Sequence, residues 1–219
     1  MNSPAAIRDF SEIYYLRNKP CILFFVMAFI ALAFFLVPVH AAKAASGDEV
    51  FPSFGNGPVE VRIYASYFCA PCRLLEPDLE PVLSELVEDD KIRATFVDVP
   101  LSRAIPYIHY FLYALNEDHG LENAFRVRHV LFDVAKERGG PDEILKAFEE
   151  EGIAHESFDL TGVFTKMNQY LQEDAIRSTP SAVIRTETDS TLYSGGGSIL
   201  EALEAIKANE AATENGEDA

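Results

Sequence analysis

Among its 219 residues the chain has no tryptophan, three cysteines, three methionines and few cations, with 18 Lys and Arg against 35 Asp and Glu. Each shortage excludes something. At a formal net charge of −17 no basic patch can form, so nucleic acid is not an expected partner. Three cysteines cannot staple a disulfide scaffold. Nor can they build a four-cysteine zinc site, because tetrahedral zinc needs four ligands and no second Cys pair exists. What remains is a chain with 48% apolar residues, enough for one sizeable core with additions.

Charge is also missing from Pro20 to Val39, which reads CILFFVMAFIALAFFLVPV after the proline. Arg8, Arg17 and Lys19 precede this run, diluted by Asp9 and Glu12. Positive charge before an apolar run keeps that end in the cytoplasm and sends the remainder across the membrane. Two fates fit. Val39-His40-Ala41 or Ala42-Lys43-Ala44, after Pro38, is arranged as a signal-peptide cleavage region. A signal anchor is the alternative, because the run nearly spans a bilayer. Either way the remainder is expected in a periplasmic or extracytoplasmic, oxidising compartment. Cys21 lies in the apolar run, so the exported part keeps only Cys69 and Cys72.

Those two form Phe68-Cys69-Ala70-Pro71-Cys72-Arg73. Val59 to Ala65 reads as a strand before them, with Val61, Ile63 and Ala65 on one face. From Arg73 a helix follows, its apolar face made by Leu74, Leu75, Leu79, Val82, Leu83, Leu86 and Val87. Cys69 therefore stands at a helix start, where free N–H groups and the dipole favour an anion. A thiolate is the nucleophile of disulfide exchange. Cys72 returns beneath it, placed to resolve a mixed disulfide into an internal one. A purely structural crosslink is the competing reading, but so short a loop removes little unfolded-state entropy.

Residues 1–41 read as signal peptide or anchor and 42–57 as a linker with at most a short edge strand around Val50 to Phe54. Residues 58–100 hold the C-x-x-C unit. They close with a second strand, Ile92 to Val99, and Pro77 and Pro81 are expected to bend the intervening helix. Residues 101–177 turn helical, with apolar spacings at Ile105/Ile108/Leu112/Leu115, at Leu121/Phe125/Leu131 and at Ile144/Leu145/Phe148. A fourth helix is expected from Val163 to Ala175. Residues 178–209 resume β pattern as a hairpin through Ala182-Val183-Ile184 and Thr191-Leu192-Tyr193, then a last helix. The acidic stretch 210–219 is expected to be disordered.

This order resembles the thioredoxin fold with the helical insertion of DsbA-like oxidoreductases: an α/β chain carrying an inserted all-helical subdomain. The motifs that carry the resemblance are Cys69-Ala70-Pro71-Cys72 and Thr179-Pro180, and it spans Val59 to Asn209. It implies that Pro180 is cis and packs beside the redox cysteines, with Thr179 and Phe68 contacting substrate. It implies no cofactor. Its partners would be cysteine-containing exported proteins, and a membrane redox protein that recycles the cysteines. Departures bear on direction. DsbA-like oxidants usually carry Pro-His where Ala70 and Pro71 stand, and Pro71, Pro77 and Thr179 look more like reducing or isomerising relatives. Ala70 and Pro71, the thiolate-tuning pair, supply no side-chain donor, so a less oxidising protein is expected. Many relatives bury an acid six residues before the first cysteine; here that residue is Ile63.

A binding module is the second function class, with Cys69 and Cys72 as soft copper(I) ligands. No motif places a histidine or methionine beside them, and no metal site is expected. His109, His119 and His129 read as surface or packing residues. Tyr107, Tyr110, Phe111 and Tyr113 read as core packing between insertion and thioredoxin part, with a groove lining second.

Overall fold

The computed structural model describes residues 51–214. The apolar run 20–39, Cys21 and the cleavage sites lie outside the described residues. Among the described residues no helix is long and apolar enough to cross a membrane.

Five strands make one mixed sheet: β1 (Ser53–Phe54), β2 (Val59–Ala65), β3 (Ile92–Asp98), β4 (Ser181–Arg185) and β5 (Ser190–Ser194), in spatial order β1-β3-β2-β4-β5. β2 and β3 run parallel, with Ala65 opposite Asp98, and β4 runs antiparallel to β2, with Ser181 opposite Tyr64. The ends of β2 and β3 and the start of β4 therefore meet at one end of the sheet. Six helices accompany it: α1 (Ala70–Glu88), α2 (Ile105–Glu117), α3 (Leu121–Lys136), α4 (Pro141–Glu151), α5 (Thr161–Glu173) and α6 (Gly196–Glu214). This is the expected thioredoxin arrangement, with α2 to α5 between β3 and β4.

Alternation along the strands divides the sheet into two faces. Val61, Ile63 and Ala65 of β2 share a face with Ile92, Ala94 and Phe96 of β3, and all six are buried. Leu75, Leu79, Leu83 and Leu86 of α1, and Ile199 and Leu203 of α6, complete that core. The aromatic stretch of α2 packs as expected: Phe111 meets Phe96 edge-on at 6.4 Å, and Tyr107 stacks on Tyr67 at 5.4 Å.

Boundaries differ in instructive places. α1 starts three residues before Arg73, since Cys69 caps it and Pro71, which has no N–H, fits a first turn whose N–H groups have no acceptor within the helix. It continues through Pro77 and Pro81, both on its exposed side, where freed carbonyls meet water. Leu74, placed by its spacing on the apolar face, is 73% exposed. At the N-terminal edge Phe51 is buried against Tyr170 of α5, with ring centroids 5.7 Å apart. α4 ends where Gly152 takes the left-handed conformation, φ 62°, which a side chain would resist. α6 runs to Glu214, into the stretch expected to be a disordered tail.

Candidate active site

Cys69 is the N-cap of α1, with extended backbone angles (φ −97°, ψ 108°). Its sulfur takes the place a Ser or Asp oxygen fills at an ordinary helix start, accepting the Cys72 N–H at 3.3 Å. Ser66 and Arg73 frame the turn through their backbones, as Cys69 N–H donates to the Ser66 carbonyl (2.9 Å) and Arg73 N–H donates to the Cys69 carbonyl (3.2 Å). The Arg73 guanidinium makes no hydrogen bond to the sulfur, whose partners are the Cys72 N–H and the Thr179 carbonyl. Cys69 is half-buried and Cys72 is 1% exposed; both are free thiols. Burial, with the neighbouring Cys69 sulfur second, pushes the Cys72 thiol up to about 12. At neutral pH the reduced Cys72 therefore keeps its proton.

Thr179-Pro180 lies across from this turn, and the peptide bond between them is cis. The Cys69 S–H donates to the Thr179 carbonyl at 3.4 Å, joining residues 110 apart in sequence. Pro180 is buried and opens β4, while Ala70 and Pro71 are exposed on the rim of the turn. Phe68 is half-buried, edge-on to Tyr107 at 5.2 Å, with the Arg103 guanidinium 4.2 Å from its ring centre. Every residue singled out from the motifs is thus drawn to one end of the sheet.

Sequence reasoning missed what lies behind the turn. Arg128 of α3 is wholly buried between two carboxylates: its Nε is 3.1 and 3.2 Å from the Glu76 oxygens, Nη2 is 2.5 Å from Glu76 Oε1, and Nη1 is 3.3 Å from Asp98 Oδ1. The Tyr67 hydroxyl donates to Asp98 at 3.1 Å, and the guanidinium lies 4.3 Å from the Phe96 ring centre. Burial alone would lower the Arg128 pKa, but the two carboxylates raise it, so it stays charged. Burial raises the Asp98 carboxyl, against the pull of Arg128, and holds the Tyr67 phenol well above its usual range. The available signals were Glu76, four residues after Cys72 on the inward side of α1, and Arg128, which falls on the helical stripe of Leu121, Phe125 and Phe132.

The three histidines of the helical block stay outside the site. His109 packs on Phe164 and Tyr113, His119 is exposed, and His129 Nε2 lies 3.4 Å from Glu80. Among the described residues no group of three or more His, Cys, Asp or Glu could hold a metal ion. A copper-carrying reading of Cys69 and Cys72 therefore gains no third ligand from those residue types.

A family model described as Thioredoxin matches residues 55–191. Comparison with curated proteins finds no match. The fold is similar to that of a periplasmic thioredoxin-like protein from Salmonella enterica serovar Typhimurium, with TM-score 0.56 and 18% identity over 76% of this chain and 92% of that one. It is also similar to α-DsbA1 from Wolbachia pipientis, with TM-score 0.51 and 15% identity over 75% of this chain and 94% of that one. BdbD from Bacillus subtilis, in its oxidised form, gives TM-score 0.50 and 16% identity over 72% and 92%. At these identities the likeness is one of fold.

Proposed function

The chain belongs to the thioredoxin family, in the architecture of DsbA-like thiol:disulfide oxidoreductases, and on that premise we propose that it exchanges disulfides in exported proteins through Cys69 and Cys72. The observation that carries this reading is the pairing of a half-exposed N-cap sulfur with a buried thiol one helical turn on, opposite Thr179-Pro180. Cys69, as thiolate, attacks one sulfur of a substrate disulfide; the S–S bond breaks and the departing thiolate takes a proton. Cys72 then gives up its proton and displaces the substrate sulfur from Cys69. The products are a Cys69–Cys72 disulfide and a substrate dithiol, and two electrons have passed to the substrate. Run backwards, the same steps oxidise a substrate dithiol.

The compartment follows from the apolar run 20–39 behind Arg8, Arg17 and Lys19. Direction follows from the turn. The Cys72 N–H is the hydrogen-bond donor at the Cys69 sulfur, while Ala70 and Pro71 offer no side-chain donor, so the reduced form gains less stabilisation than with Pro-His. We assign a weaker oxidant that works as a reductase or isomerase, recycled by a membrane dithiol or disulfide partner. Equilibration with glutathione buffers should give one two-electron couple, lost in Cys69→Ser and in Cys72→Ser. Replacing Ala70-Pro71 by Pro-His should raise its potential by about 30 mV or more, tenfold in the equilibrium constant. An unchanged potential would show that other groups set the poise. A couple that survives either Cys→Ser change would remove the reading altogether.

A further inference from the structure

Resting on that exchange activity, we propose that the face around Cys69 selects substrate segments carrying acidic side chains beside the reactive cysteine, through Arg103 and Arg177, with Arg73 at its margin. Three loops reach this face because β2, β3 and β4 all have an end there, and Val99 N–H donating to the Ala65 carbonyl at 2.8 Å ties two of them together. An arginine follows each strand end or precedes it: Arg73 in the first turns of α1, Arg103 in the 3-10 turn after β3 and Arg177 in the loop before β4. Arg103 is exposed, and its guanidinium carbon lies 4.2 Å from the ring centre of Phe68, the residue before Cys69. Arg177 is exposed two residues before Thr179, whose carbonyl accepts the Cys69 S–H. Arg73 follows Cys72 and lines a groove of about 320 Å³ with Glu76, Pro77, His129, Phe132 and Asp133.

Among the described residues these cations differ from seven of the eleven others. Arg62, Arg93, Arg128, Arg185, Lys91, Lys146 and Lys207 each pair with a carboxylate. Arg73, Arg103 and Arg177 have no carboxylate partner among the described residues. The neighbouring acids are mostly engaged: Glu76 and Asp98 hold Arg128, and Glu143 accepts the Gly140 N–H at 2.7 Å. Asp133, which lines the same groove as Arg73 with no cation bonded to it among the described residues, is why Arg73 is placed at the margin. Two apolar side chains stand exposed near Arg73 and Arg103 in sequence, Leu74 at 73% and Leu101 at 49%. Unpaired guanidinium groups beside apolar ground suit a segment that offers carboxylates.

The overall charge sharpens the test. A net charge of −17 attracts basic segments at long range, so a preference for acidic ones has to be local. The reduced full-length protein is mixed with three peptide disulfides that differ only in having Glu, Gln or Lys beside the cysteine. Each reaction turns a protein dithiol and a peptide disulfide into a protein disulfide and two peptide thiols. Glu peptides should react fastest and Lys peptides slowest, spanning roughly tenfold in second-order rate constant. Arg103→Glu with Arg177→Glu should reverse the order, and Lys146→Glu on α4 should leave it unchanged. Should the double variant not fold, Arg103→Gln and Arg177→Gln singly should each narrow the span. A flat or Lys-first order in the wild type, or an order indifferent to the arginine changes, overturns the proposal while leaving exchange intact. No exchange with any peptide by folded protein overturns exchange and selectivity together.

Discussion

Two buried charge clusters, one on each face of the sheet, tie the inserted helices to the thioredoxin part, and they are built in opposite ways. On the face of α1, one arginine sits between two carboxylates: Arg128 with Glu76 and Asp98, all three side chains at most 4% exposed. On the other face, one carboxylate gathers two arginines and a phenol. Asp174, just past α5, bonds Arg185, the Tyr64 hydroxyl and Arg62, the last at 3.4 Å. Here the arginines keep 12% and 26% of their surface, and Arg62 also meets Glu60 at 2.6 Å. The first cluster is enclosed by Tyr67, Phe96, Phe111 and Phe132. The second opens towards a small polar pocket lined by Ser53, Glu60, Arg93 and Thr95. Losing one member should therefore strand charge in a dry place in the first case and in a partly wetted one in the second.

Stability measurements can break that comparison. Arg128→Ala leaves Glu76 and Asp98 buried and repelling each other, and should cost about 3–5 kcal/mol in urea unfolding. Restoring neutrality with Glu76→Gln and Asp98→Asn should recover part of the loss. Asp174→Asn keeps shape and some hydrogen bonds while Arg62 and Arg185 retain access to water, so about 1–3 kcal/mol is expected. Lys146→Ala removes only an exposed pair with Glu150 and should stay within about 0.5 kcal/mol. An Asp174 change as costly as the Arg128 change would show that enclosure is not what separates the clusters.

The same contrast explains what could be read from the sequence. Strand, C-x-x-C helix, second strand, four helices and hairpin announce themselves through local periodicity, and Cys69, Cys72 and Pro180 through a motif. Local signals suffice because each element carries its own apolar pattern. Glu76, Asp98 and Arg128 belong to three elements, 22 or more residues apart in sequence, and become partners only when α3 packs on α1 and β3. A charge on the apolar stripe of a helix or strand marks such a residue without naming its partner. Leu74 errs the other way: its spacing fits the core-facing stripe, but it faces solvent while Cys72 and Leu75 on the other side of α1 are buried.

The central claim is that Cys69 attacks and Cys72 resolves, and mixed-disulfide trapping tests it most directly. Cys72→Ser keeps the half-exposed N-cap sulfur but removes the buried thiol that releases substrate, so it should accumulate mixed disulfides with exported proteins. Cys69→Ser leaves at the site a thiol that is 1% exposed and held protonated, which should accumulate none. The reverse pattern, with adducts on Cys72 and none on Cys69, would contradict the account.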